Sequence, residues 1–185
     1  MLKTSPNIRS FQGKNPSIAE GVYIDLSAII IGDVNISKNA SIWPLTVVRG
    51  DMTKITIGEN TNIQDGSILH STHASSFNTD GYPLKIGNNV TIGHRVTLHG
   101  CNIGNFCLIG MNCIIMDGAK IEDKVMLAAG SLVSENKNLE SGYLYLGVPA
   151  KKIRPLNEEE LSFLDYSSKN YCSLKDKHLN ETTLV

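Results

Sequence analysis

Large aliphatic side chains recur at intervals of about six residues through most of the chain. The anchors are Ile24, Ile30, Ile36, Ile42 and Val48, then Ile57, Ile63 and Leu69, then Ile86, Ile92 and Leu98, and last Ile103, Ile109, Ile115, Ile121, Leu127 and Val133. Two residues before each anchor stands a smaller, mostly apolar side chain, as at Ala28, Val34, Ala40, Val90, Val96, Ala119 and Val125. Such a period is too short for a helix pair and too regular for a hairpin meander. It suits a short strand plus a tight turn, three of which close one triangular coil of about 18 residues. The pattern therefore predicts an all-β triangular solenoid, a parallel β-helix, over residues 1–155. Two interruptions break it: about three extra residues around "GDMTK", and about eleven extra within a loop insertion at 71–85. After Val133 the pattern fades. From residue 156 to 185 a closing helix and tail are expected, with Asn157 as N-cap, an acidic first turn, and Leu161, Leu164, Tyr171 and Leu174 near helical spacing.

Composition narrows the classes of function. With 17 basic and 18 acidic residues among 185 and no basic cluster, the electrostatic footprint of a nucleic-acid binder is missing. No apolar run is long enough to span a bilayer, and the first residues lack the apolar core of a signal peptide, so a soluble cytoplasmic protein is expected. The 4 cysteines include no CxxC pair. Cys101, Cys107 and Cys113 fall six apart at the small inward position and read as core side chains.

The chemistry-bearing residues lie on columns of the solenoid. His94 and His99, in "GHRVTLHG", are five residues apart, which suits neither one face of a helix nor one face of a strand. Following the anchors around three faces, called A, B and C, places Arg49, His70 and His99 just after successive face-A anchors. Those three should stack about 4.8 Å apart. His94 follows a face-C anchor and lies one coil from Asp65, on another edge of the prism. A three-histidine site then requires the A edge of one subunit to meet the C edge of the next. Such a heterologous contact closes into a ring, and three equivalent sides make a homotrimer the natural closure. Arg49 should likewise face Asp65 of the neighbour, a charge-assisted pair.

The hexad pattern resembles the hexapeptide-repeat proteins, and from that family the expected coil is left-handed. "RGD" at 49–51, "NIQD" at 62–65, His70 and "GHRVTLHG" at 93–100 are similar, in order and spacing, to the γ-class carbonic anhydrases. "GYLYLGVPAKKIRPL" is closer still to the bacterial YrdA-type branch. The resemblance implies a metal site on His70, His94 and His99. Zinc is the expected ion, with iron or cobalt as alternatives, and a fourth position is open to water for the reversible hydration of carbon dioxide. It also implies that Gln64 orients the reacting groups, that Asn62 supports Gln64, and that Arg49, Asp51 and Asp65 assist at the interface or behind the ligands. The chain departs from the archaeal prototype at two positions where glutamates serve proton transfer, carrying Met52 and His73 instead. Histidine can move protons near neutral pH, and His73 also reads as an ordinary loop residue.

Three classes of function fit this sequence. One is a zinc lyase acting on carbon dioxide and bicarbonate. Another is a hexapeptide-repeat acyltransferase or thioesterase using coenzyme A thioesters, and the third is a metal-binding trimer without efficient turnover. Tyr143 and Tyr145 read as packing residues near a subunit junction.

Overall fold

The computed structural model describes residues 6–181; the outermost ends of the expected solenoid and tail, 1–5 and 182–185, lie outside the described residues. The chain winds into a left-handed parallel β-helix of about eight turns, closed by the single helix Glu158–Glu181. Face A stacks Ile68–His70, Thr97–His99, Ile114–Ile115 and Leu132–Val133. Face B stacks Leu84–Ile86, Asn102–Ile103, Lys120–Ile121 and Asn138–Leu139. Face C runs from Tyr23–Ile24 through Ser41–Ile42, Asn62–Ile63, Thr91–Ile92, Leu108–Ile109 and Met126–Leu127 to Tyr143–Leu146. Lys151–Pro155 pairs antiparallel at its end. Two long strands, Ile29–Ile36 and Val47–Ile57, turn the corner from A to B.

The anchors fill the interior as the period requires. Ile30, Ile36, Ile42, Val48, Ile57, Ile63, Leu69, Ile92 and Leu98 are all fully buried. Cys101, Cys107 and Cys113 are buried beside them as free thiols, and burial pushes Cys107 up to about 12. Corners need left-handed backbone, and asparagine tolerates it. Asn39, Asn60 and Asn89 take φ of 59°, 56° and 56°, and their side chains hydrogen-bond from coil to coil.

The register shift between Ile29–Ile36 and Val47–Ile57 lies where extra residues were expected: Gly32 pairs Gly50 and Val34 pairs Ile55, so residues 51–54 oppose Asp33 alone. The strand nevertheless runs on through that bulge. The hexad also extends further than the aliphatic pattern shows. Ile8 pairs with Ile30 and Ile18 with Ile36, giving an earlier coil whose spacing is disguised by a hairpin at Phe11 and Lys14. At the other end Leu139 and Tyr145 continue the anchor column, at 3% and 4% exposure.

The helix starts with a capping box. Asn157 Oδ1 accepts from the Glu160 backbone N–H at 2.8 Å, and Glu160 Oε2 accepts from the Asn157 N–H at 3.0 Å. The helix then runs along face C against Thr91–Ile92, Asn62–Ile63, Ser41–Ile42 and Tyr23–Ile24. Small polar residues Ser41, Asn62 and Thr91 on that face let the helix lie close, and Ser167 hydrogen-bonds Thr91 at 2.9 Å. No helix among the described residues is long and apolar enough to cross a membrane.

Candidate metal centre

His70 and His99 are register partners on adjacent face-A strands, and Arg49 lies one strand below. Their rings tilt toward each other at a centroid separation of 5.1 Å, with His70 Nδ1 and His99 Nε2 3.1 Å apart. Two nitrogens held about 2.0 to 2.1 Å from one tetrahedral metal stand about 3.3 Å apart, close to this spacing.

Each ring gives its other nitrogen to a carboxylate. His70 Nε2 donates to Asp51 Oδ1 at 3.0 Å, and His99 Nδ1 donates to Asp117 Oδ1 at 2.8 Å. A carboxylate only accepts, so each of those nitrogens carries the ring proton. In a neutral ring fixed this way the facing nitrogen carries a lone pair, an arrangement that suits a cation between the two rings. Burial pushes His70 below its ordinary value, overcoming the hydrogen bond to Asp51, so the neutral form prevails at neutral pH. The carboxylates are themselves held. Arg49 Nη1 donates to Asp51 Oδ2 at 2.6 Å, and Thr72 Oγ1 donates to Asp117 Oδ2 at 2.7 Å. Burial works to raise the Asp51 carboxyl, but the bonds from Arg49 and His70 outweigh it and hold the group low.

Asp117 was not among the residues singled out from the sequence. It sits at the face-A corner one coil above His99, beyond Met116, in a stretch that reads only as repeat. Its approach depends on Gly100, whose φ is 52° and where a Cβ would stand 2.2 Å from Asp117 Oδ1.

His94 lies on the other edge as expected from the repeat. Its Nδ1 donates to Asp65 Oδ2 at 2.8 Å, which turns Nε2 away from the carboxylate, and both side chains are 46% exposed. Gln64 is buried beside it. Its Nε2 donates to Asn62 Oδ1 at 3.1 Å, and Asn62 Nδ2 donates to Thr91 Oγ1 at 3.0 Å. The eight predicted contributors thus divide: Arg49, Asp51, His70 and His99 gather on the A edge, and Asn62, Gln64, Asp65 and His94 on the C side; His73, which also reads as an ordinary loop residue, is exposed and stands apart. Among the described residues no three His, Cys, Asp or Glu side chains of one chain converge on a metal position. Arg49, expected to face Asp65 of a neighbour, bonds Asp51 within its own chain.

This fold and its carboxylate-backed histidine ladder define a hexapeptide-repeat solenoid with donors suited to a metal. Comparison agrees. Residues 100–135 match the family described as bacterial transferase hexapeptide (six repeats). The chain is 55% identical to Protein YrdA of Escherichia coli, over 94% of this chain and 95% of that one. It is 40% identical to Gamma carbonic anhydrase 2, mitochondrial, of Arabidopsis thaliana, covering 92% of this chain and 61% of the plant protein. The crystal structure of a hexapeptide transferase family protein from Anaplasma phagocytophilum superposes with a TM-score of 0.86 at 44% identity, over 92% of this chain and 97% of that one. The chain belongs to the hexapeptide-repeat family, in its YrdA-type, γ-carbonic-anhydrase-like branch.

Proposed function

We propose that the protein is a metal-dependent trimer with carbonic-anhydrase chemistry, in which His70 and His99 of one subunit and His94 of the next hold one zinc ion. Iron or cobalt suits the same imidazoles. The observation that carries this reading is the approach of His70 Nδ1 and His99 Nε2 to 3.1 Å, with each ring held from behind by its own carboxylate. Carboxylate-backed imidazole is the usual arrangement of a metal-ligating histidine, and His94 with Asp65 repeats it.

The surface supports the assembly. Ile29, Val47, Ile68, Thr97, Ile114 and Leu132 form one continuous outer column on face A, beside the histidines. Ile68 and Ile114 are 50% and 42% exposed, an apolar strip suited to burial against a second copy. Packing the His94 corner of one prism on face A of the next gives a heterologous contact that closes into a ring. Arg49 uses Nη1 on Asp51, leaving other guanidinium donors for Asp65 of the neighbour.

Zinc bound there supplies a Lewis acid that makes water nucleophilic near neutral pH. The residues of the chain do the rest. Asp51, Asp117 and Asp65 orient the imidazoles and, in the neutral rings, fix the tautomer that leaves the ligating nitrogen free. Gln64, steadied by Asn62, offers its amide to carbon dioxide or bicarbonate beside His94. A cytoplasmic location belongs to this reading.

Stopped-flow carbon dioxide hydration on protein of assayed metal content tests it. Zinc-loaded protein should hydrate well above the buffer rate, and His94→Ala should lose both metal and rate while keeping its circular dichroism. A fully metallated trimer without hydration would move the reading to coenzyme A thioester chemistry. That second reading is favoured by the transferase relatives and by the apolar groove beside His94, and a thioester panel would test it.

A further inference from the structure

The segment after His70 is closed rather than loose. Thr72 and Tyr82 exchange backbone hydrogen bonds at its base, and Ser75 and Asn78 exchange bonds of 2.7 and 3.2 Å at its tip. Thr53 Oγ1 ties the base to the neighbouring strand by bonding the Thr72 and Tyr82 carbonyls. This built tip holds Phe77 in water, 99% exposed. Beside it, Asn78 Nδ2 is the only buried side-chain N or O atom among the described residues that lacks a partner. A hydrogen-bonded turn that holds a whole phenyl ring in water presents an apolar knob suited to a complementary groove.

A matching surface lies on the C side. Between the first half of the helix and face C runs a groove of about 420 Å³, floored by Leu108, Met126 and Leu144 and roofed by Phe163. His94 and Met111 are among its lining residues and are neighbours along one corner of the prism, since Asn112 N–H bonds the His94 carbonyl at 2.9 Å. Met111 is 50% exposed there.

The proposed shared histidine site would bring the two features together: were His94 of one subunit to meet His70 and His99 of the next, the segment that follows His70 would lie toward the groove that His94 lines. Ile68, two residues before His70, continues the apolar surface up to it. We propose that Phe77 of each chain occupies the groove of the neighbouring subunit, so that each reaction site is walled by an aromatic side chain from the same chain that supplies His70 and His99. The inference rests on the shared site. It adds a determinant of ligand size: with Phe77 seated, the space beside His94 admits only small ligands, and without it the groove opens.

The test is cross-linking of the metallated protein carrying Phe77→Cys and Met111→Cys together, with each single variant and wild type as controls. Both positions are exposed in the chain, and the native thiols are buried or half-buried, so the coil keeps its fold and the background stays low. A short bis-maleimide should convert the double variant into a covalent trimer on a denaturing gel and leave the controls as single chains. In trimers of the Phe77→Cys single variant, protection from a monofunctional maleimide should be lost only on dissociation. A metallated trimer whose Cys at 77 labels freely and does not cross-link overturns the proposal and leaves the shared metal site standing. A monomeric protein, or one that keeps its metal as a monomer, removes the shared site and the proposal together.

Discussion

Gly100 and Asp117 show how a single residue sets the geometry of the centre. The step from Leu98 to Ile103 is one residue shorter than its neighbours, and Gly100 turns that tight corner in left-handed backbone. Asp117 can then reach His99. Gly100→Ala is expected to destabilise by roughly 1–3 kcal/mol, because the new Cβ meets both an unfavourable φ and the Asp117 carboxylate; chemical denaturation measures it. Asp117→Asn should leave stability nearly unchanged but weaken metal binding by about 10- to 100-fold, through loss of the fixed tautomer of His99. Competition with a chelator reads the affinity, and nitrogen chemical shifts of His99 read the tautomer. Equal affinity in the two proteins would reduce Asp117 to a structural corner. The histidines were legible from the sequence because removing the insertion puts His70 and His99 in register. Asp117 was not, because a corner carboxylate has the same appearance in the repeat whether or not a ring stands next to it.

The helix Glu158–Glu181 is fastened at its start by two devices that share Glu160, the capping box with Asn157 and a bidentate pair in which Arg154 Nη1 and Nη2 reach Glu160 at 2.7 Å each. The Arg154 bond, with that from the Asn157 backbone, pulls the Glu160 carboxyl down to about 2 from an ordinary value near 4.5. A carboxyl lowered in the folded state contributes stability that is present above its unfolded value and lost as pH falls through the folded one. The helix start should therefore loosen between about pH 4.5 and 2. Amide protection over residues 158–164, corrected for the pH dependence of intrinsic exchange, should fall in that window, and Glu160→Gln should show the reduced protection already at pH 7. A Glu160→Gln profile matching wild type at both pH values would contradict the role. At this scale the sequence disclosed the cap, the helix and the bulge at "GDMTK". The earlier coil stayed hidden because the hairpin at Phe11 and Lys14 breaks the period. The last turn stayed hidden because Tyr145 replaces an aliphatic anchor.

For the whole molecule, a three-faced prism with the candidate histidines on two separate edges makes the proposed function a property of an assembly. Three faces and their column order were readable from the hexads, since one inward side chain per strand is all the coil demands. How two prisms meet was not readable at the level of contacts, because an outer apolar column such as Ile29, Val47, Ile68 and Ile114 is interleaved with polar residues. The most direct measurement is complementation between variants with distinct affinity tags. His94→Ala retains the A-edge pair, and a chain carrying His70→Ala and His99→Ala retains only the C-edge ligand. Each alone should form trimers without bound zinc. Trimers isolated through both tags should regain zinc at the interface where intact edges meet. Zinc retained at full occupancy by either variant alone, or mixed trimers as empty as their parents, would contradict the shared site.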